Sequence, residues 1–217
     1  MRAPRQPPRT PNRVQQQTPR QTELLDQLEE LFLREGFAQL TLDDIVNELR
    51  CSKMTLYTLA PSREQLILAV LRRFFVQASG RISNHLDRYR SSTRRIRAVL
   101  EATIGELRRI TPDCFNDMLG YSTTRELYEA FARSCAQQLL DVLTQTLGSG
   151  ADNLATNRFV SEVVRVLFDE IVTRELEQTT GLNDREVLEH LFRLVQSTTN
   201  RSGGSSGARI ERIRKVK

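Results

Sequence analysis

Helix starts are written into this chain at close intervals, and they restrict its fold more than any other feature. Thr18-Pro19-Arg20-Gln21, Ser62-Arg63-Glu64-Gln65 and Asn183 with Glu186 each set a side-chain acceptor three residues ahead of a Gln or Glu. In that spacing each of the two residues bonds the other's backbone N–H, so orphan donors at a helix N-terminus are satisfied. Thr41 with Asp44 and Thr123 with Glu126 repeat the pattern, and Ser52 and Thr111-Pro112 supply single caps. Between these starts, from about residue 18 to about residue 200, apolar residues recur at three- and four-residue spacing, and almost no segment alternates as a strand would. The fold class is therefore all-α, with about nine helices and no internal repeat.

The spacing predicts a first helix from Thr18 that buries Leu24, Leu28, Leu31 and Phe32 and stops at Gly36. Two short helices follow, one from Thr41 carrying Ile45, Val46 and Leu49, the other capped by Ser52 and ending before Pro61. Two short helices joined by three or four residues have helix-turn-helix geometry, in which the second helix lies in the DNA major groove. A long helix from Ser62 runs toward Tyr89, a further one ends near Ile110, and a short piece opens at Thr111. The next runs from Thr123 to Gly148-Ser149-Gly150, and the last two begin near Thr156 and at Asn183. The division expected is an N-terminal helix-turn-helix domain over 18–65 and a helical bundle over 66–200.

Both ends differ from this body. Residues 1–17, with prolines at 4, 7, 8 and 11, cannot bury enough apolar surface to fold alone and are expected to be a disordered basic arm. Arg2, Arg5, Arg9, Arg13 and Arg20 carry +5 with no acid within residues 1–20. Residues 201–217, expected to be a flexible basic tail that opens on linker composition, also carry +5, which leaves the body at −5 out of a total of +5. Basic ends around an acidic body read as arms for a polyanion, nucleic acid before membrane. Cys51, Cys114 and Cys135 are odd in number and widely spaced, and the N-terminus has no apolar stretch of a secretory signal, so a reducing cytoplasm is expected. The chain contains no Gly-x-Gly-x-x-Gly, no phosphate loop ending in Lys-Ser or Lys-Thr, two histidines and no cysteine pair at zinc spacing. Neither a cofactor, a metal nor an enzymatic activity is expected.

The stretch GFAQLTLDDIVNELRCSKMTLYTLAPSREQL resembles the DNA-binding domain of TetR-type transcriptional regulators. The matches fall in register at Gly36, Phe37, Thr41, Ile45, Ser52, Thr55, Leu56, Tyr57, Ser62, Glu64 and Leu66. The resemblance implies a homodimer that binds a double-stranded DNA operator, most often as a repressor released by a small, apolar effector. By position it implies that Arg50, Ser52, Lys53, Met54, Thr55, Tyr57 and Thr58 lie at the groove and that Thr41 and Arg63 touch phosphates. Five positions depart from the family pattern. Arg50 replaces a turn glycine, and must turn left-handed at about 1 kcal/mol or use another turn. Met54 replaces a small residue, Leu59 and Ala60 replace an aromatic pair, and Arg63 replaces a lysine. Residues 21–70 hold four basic and nine acidic groups, yet none of the acids falls between Leu49 and Arg63, so the acids are expected on faces away from the groove. The arm's arginines would then supply much of the attraction to DNA.

His85, Leu86, Tyr89, Cys114, Tyr121 and Tyr128 are the candidates to line an effector pocket, with Arg97 beside them. Val160, Val164, Leu167 and Ile171, then Leu188, Leu191 and Val195, lie on wide apolar stripes of the last two helices and are the candidate dimer interface, with burial inside the protomer as the alternative. A second functional reading stays open: a helical dimer whose altered turn makes it a non-specific DNA binder or a protein-interaction module.

Overall fold

The computed structural model describes residues 18–147 and 151–204. The basic arm of residues 1–17, the loop at 148–150 and the tail from 205 lie outside them. Among the described residues there are ten helices and no strand: α1 (Pro19–Glu35), α2 (Leu42–Leu49), α3 (Lys53–Tyr57), α4 (Arg63–Leu86), α5 (Ser92–Leu107), α6 (Pro112–Gly120), α7 (Ser122–Leu147), α8 (Ala151–Thr173), α9 (Glu175–Thr180) and α10 (Asp184–Gly204).

Three of the reciprocal caps form, and at Ser62 only one half does, the serine hydroxyl accepting from the Gln65 N–H with no return bond from the Gln65 side chain. Thr18 and Gln21 exchange bonds at 2.9 and 3.3 Å, Thr41 and Asp44 at 2.8 and 3.2 Å, and Asn183 and Glu186 at 2.9 and 3.2 Å. Ser52, Ser62 and Thr111 accept from the third residue of their helices. Three starts or stops differ from expectation. α7 opens at Ser122, and its corner is tied by the Thr124 hydroxyl, which donates to the carbonyls of Met118 (2.8 Å) and Tyr121 (3.1 Å). α8 opens at Ala151, five residues before Thr156, because its first turn carries little apolar periodicity. α10 continues to Gly204, past residue 200, at an end where helices commonly fray.

The tenth helix is α9, a short turn with a single apolar residue, Leu176, and therefore no periodic signal. It follows a break at Arg174, which sits left-handed at φ 68° and donates from Nη2 to the Arg108 carbonyl at 3.3 Å.

α7 occupies the centre, packed on α4, α5, α6, α8 and α10. One continuous apolar core runs from Leu24 in α1 to Val195 in α10, and α4 contributes Leu66, Ile67, Val70, Leu71, Phe74 and Phe75 to it. The boundary expected at residue 65 thus falls inside a helix that belongs to both parts. The seam is reinforced by charge. Glu29 of α1, buried, takes Arg73 of α4 at 3.2 Å and Arg109 after α5 at 2.8 Å. Arg109 also reaches Glu106 at 3.2 Å, and Glu106 holds Arg81 through two bonds of 2.5 and 2.7 Å. Burial raises the Glu106 carboxyl, but bonds and charge from Arg81 and then Arg109 outweigh it and hold the group below the ordinary carboxylate range.

Candidate nucleic-acid interface

α3 is only five residues long and is held by one anchor. Leu56 is buried in the common core and α3 packs on α2, so the opposite face turns outward. That face presents Ser52, Lys53, Met54, Tyr57 and Thr58, with Met54 75% exposed. Thr55 is half-buried, and its hydroxyl is bonded to that of Ser52 at 2.8 Å. Arg50 adopts φ 48°, ψ 46°, the left-handed conformation that a glycine would take at lower cost. Its N–H lies over the carbonyls of Val46 and Asn47, so the turn keeps the geometry usual for such a unit without its usual residue. Ala60 is buried and Leu59 half-buried against the core.

Three charged or polar candidates stand differently from expectation. Asp43 lies 2.7 Å from Lys53 Nζ, so an acid does share the outward face, and its bond raises the lysine further above its ordinary range. The pair joins the first turn of α2 to the first residue of α3 across the helix-turn-helix turn, which the charge count along the chain does not reveal. Arg63 is spent on backbone rather than facing outward free: Nε donates to the Leu40 carbonyl (2.7 Å), and Nη2 to those of Ala38 (3.0 Å) and Phe37. Thr41 is exposed, but its hydroxyl already donates to Asp44 at 2.6 Å inside the capping box. Arg20 pairs with Glu23 at 2.7 Å on the surface of α1, while Arg2, Arg5, Arg9 and Arg13 lie outside the described residues.

The six pocket candidates fall in three places. His85, Leu86 and Tyr89 cluster at the far end of α4, with the histidine ring edge-on to Tyr89 at 5.5 Å. Cys114 and Tyr128 are core residues; Tyr128 meets Phe115 at 4.9 Å and donates to Asp169 of α8 at 2.6 Å. Burial, then the bond to Asp169, keep that phenol protonated far above its usual range, and burial pushes Cys114 up likewise. Tyr121 stands half-exposed against Phe37 at the α6–α7 corner. A single cavity lined by all six is therefore not what the fold builds. A cavity of about 620 Å³ lies instead on the seam of α1, α4 and the α5–α6 corner, among Asp26, Glu29, Glu30, Arg34, Arg81 and Arg109. Arg97, expected near the pocket, pairs with Glu189 of α10 and covers the Phe192 ring at 5.2 Å.

The dimer candidates are largely corrected by burial. Val160, Val164, Ile171, Leu188, Leu191 and Val195 are buried within one protomer, and Leu167 is half-buried against the same core. They belong to the inner stripes of α8 and α10. The apolar residues left outside are Phe159 (69% exposed) and Val166 (59%) on α8, with half-buried Val163 between them, and Leu194 (49%) on α10. Positions 159, 163 and 166 share one helical face.

Residues 24–70 match the family model of bacterial regulatory proteins, tetR family. Solved structures of similar fold include a TetR-family transcriptional regulator from Streptomyces coelicolor, 17% identical, covering 83% of this chain and 88% of that one at a TM-score of 0.62. The reduced form of NemR from E. coli is 17% identical over 82% of this chain and 95% of its own, with a TM-score of 0.63. FadR from Bacillus subtilis, in complex with stearoyl-CoA, is 14% identical over 83% and 96%, with a TM-score of 0.55. Such identities establish likeness of fold. No curated protein matches the chain.

Proposed function

We propose, from the premise that residues 24–70 form a helix-turn-helix domain of the tetR family of bacterial regulatory proteins, that this protein is a dimeric regulator binding a pseudo-palindromic operator. The observation that carries the proposal is the outward face of α3. Lys53, Met54 and Tyr57 project from a helix whose inner side is locked by Leu56, at the end of a turn held left-handed by Arg50. A face so exposed and apolar at Met54 suits contact with a thymine methyl group, while Lys53 supplies charge after exchanging Asp43 for DNA. The exposed pair of Lys53 and Asp43 is worth little in water, so that exchange is cheap.

The outer stripe of α8, Phe159, Val163 and Val166, with Leu194 of α10, is the surface on which a second copy would close. Two recognition helices related by a two-fold axis then read successive major grooves. An effector seated in the body would act through α4, which runs from Arg63 to Leu86, about 36 Å at 1.5 Å per residue. The FadR structure holds stearoyl-CoA, whose long acyl chain supports an effector with an apolar part here, set against Leu86 or Tyr89 at the far end of α4. The test of DNA reading is retention of a labelled duplex from the DNA upstream of the protein's own coding sequence, in the presence of excess competitor DNA. Specific retention supports regulation, and equal competition by any duplex points to the non-specific binder. A thermal-shift screen with separate apolar and charged metabolite sets tests the effector, since only an apolar compound that also weakens operator binding meets the expectation.

A further inference from the structure

The turn that leads from α1 into the helix-turn-helix unit, residues 36–40, is gripped from two directions. From α4, the Arg63 guanidinium bonds the carbonyls of Phe37, Ala38 and Leu40. From α6, one carboxylate oxygen, Asp117 Oδ2, accepts the consecutive N–H groups of Phe37 (2.5 Å) and Ala38 (2.7 Å). Successive N–H groups aimed at one point make a concavity for an anion, and here the anion is a side chain 80 residues away in sequence from Phe37. Gly36 shows how closely the two parts meet. It sits at φ +80°, and a Cβ there would stand 2.5 Å from Asp117 Oδ2. α6 also holds the end of α1, because the N–H and hydroxyl of Thr111 both donate to the Leu33 carbonyl, at 3.1 and 2.8 Å.

These bonds divide into two functions. Arg63 closes the segment from Phe37 to itself into a ring that contains α2 and α3, so the recognition helix moves with that ring. Asp117 fixes the ring to α6 and hence to the body, since α6 buries Cys114, Phe115 and Met118 in the common core. We propose that Asp117 is a positioning residue: through it the body sets the orientation of the recognition helix, and with it the half-site spacing that a dimer accepts. The proposal rests on the DNA-binding reading above. Releasing the carboxylate leaves the ring intact and removes its tie to α6, with α1, α4 and the shared core still joining it to the body, so single half-sites are read as before while the distance between two readers loses definition.

The experiment uses the full chain as wild type, Asp117→Ala and Asp117→Asn. An operator is first selected from random duplexes by the wild type, and binding is then measured to it and to versions with one base pair added to or removed from the centre. The wild type should lose about tenfold in affinity on the altered spacings, the scale of one mismatched position. Asp117→Ala should bind the original operator more weakly and lose less than about threefold on altered spacing, with its affinity for non-specific duplex unchanged. Asp117→Asn, which keeps an acceptor oxygen, should restore most of the discrimination. Equal spacing discrimination in Asp117→Ala and wild type would overturn the proposal, whereas failure of the wild type to select any symmetric site would overturn the DNA-binding reading instead. Should the alanine variant not fold, amide exchange at Phe37 and Ala38 in Asp117→Asn and Asp117→Ser reads the clamp without DNA. The serine side chain is too short to bridge, so exchange there must be faster than in Asn, and equal exchange in both would overturn the proposal.

Discussion

Replacing Phe159 by Glu should separate self-association from folding. Phe159 is 69% exposed in the single protomer, so of the roughly 200 Å² an aromatic side chain can bury, about 140 Å² remains for a partner. At roughly 25 cal/mol per Å² this is about 3.5 kcal/mol from each protomer and about 7 kcal/mol in a symmetric pair. Association costs reduce that yield, but a carboxylate in the same place adds a desolvation penalty of several kcal/mol. The dimer should therefore weaken by at least about 5 kcal/mol, more than a thousandfold in Kd. The protomer itself should keep its stability within about 0.5 kcal/mol, because the position is a surface one. Ile171→Glu is the control: Ile171 is fully buried beneath the same helix, and a charge there should cost about 3 to 5 kcal/mol of folding stability. Sedimentation at micromolar concentration together with urea unfolding reads both quantities. A Phe159→Glu protein that sediments as wild type would refute the assignment of the outer stripe, and an Ile171→Glu protein as stable as wild type would refute the division of α8 into inner and outer faces.

Arg63→Ala should lower folding stability by about 3 kcal/mol, since one guanidinium serves three carbonyls, and Arg63→Lys should recover little of it; a urea series checks this, and an unchanged salt dependence of DNA binding would mark the residue as a backbone staple. Deleting residues 1–17 removes four arginines and should flatten the plot of log affinity against log salt by up to about 3.6 units per protomer, with sequence preference retained; an unchanged slope would make the arm a bystander. Glu106 has a depressed folded pKa, so its pairs stabilise the protein above the unfolded value of about 4.3, and that contribution is lost as pH falls through the folded value. Glu106→Gln should accordingly be less stable than wild type at pH 7 and approach it in acid, and a stability difference constant from pH 7 to pH 3 would contradict the assignment.

The helix-turn-helix unit was legible because its signals are local. Thr41, Ser52 and Ser62 cap helices within three residues of themselves, and the choice left to Arg50 between a left-handed turn and another turn is settled at φ 48°. What escaped the sequence depends on distance. Arg63 reaches Leu40 across 23 residues, Asp117 reaches Phe37 across 80, and no spacing rule connects them. α9 carries no sequence signal because Leu176 alone gives no period, and Arg174 breaks the helix before it without glycine or proline. The apolar stripes of α8 and α10 are wide, and periodicity does not say which edge faces inward. The residues chosen for the interface, Val164 and Ile171 among them, form the inner stripe, and Phe159 and Val166 the outer one.

Two copies of α3 reading DNA symmetrically would leave a footprint on genomic DNA. The expected footprint is a protected pseudo-palindrome whose half-sites lie in successive major grooves, bound by two protomers and weakened by roughly 1 to 3 kcal/mol when Lys53 is replaced by Ala. Protection that follows no shared sequence, or that appears with a single protomer on an asymmetric site, would contradict it.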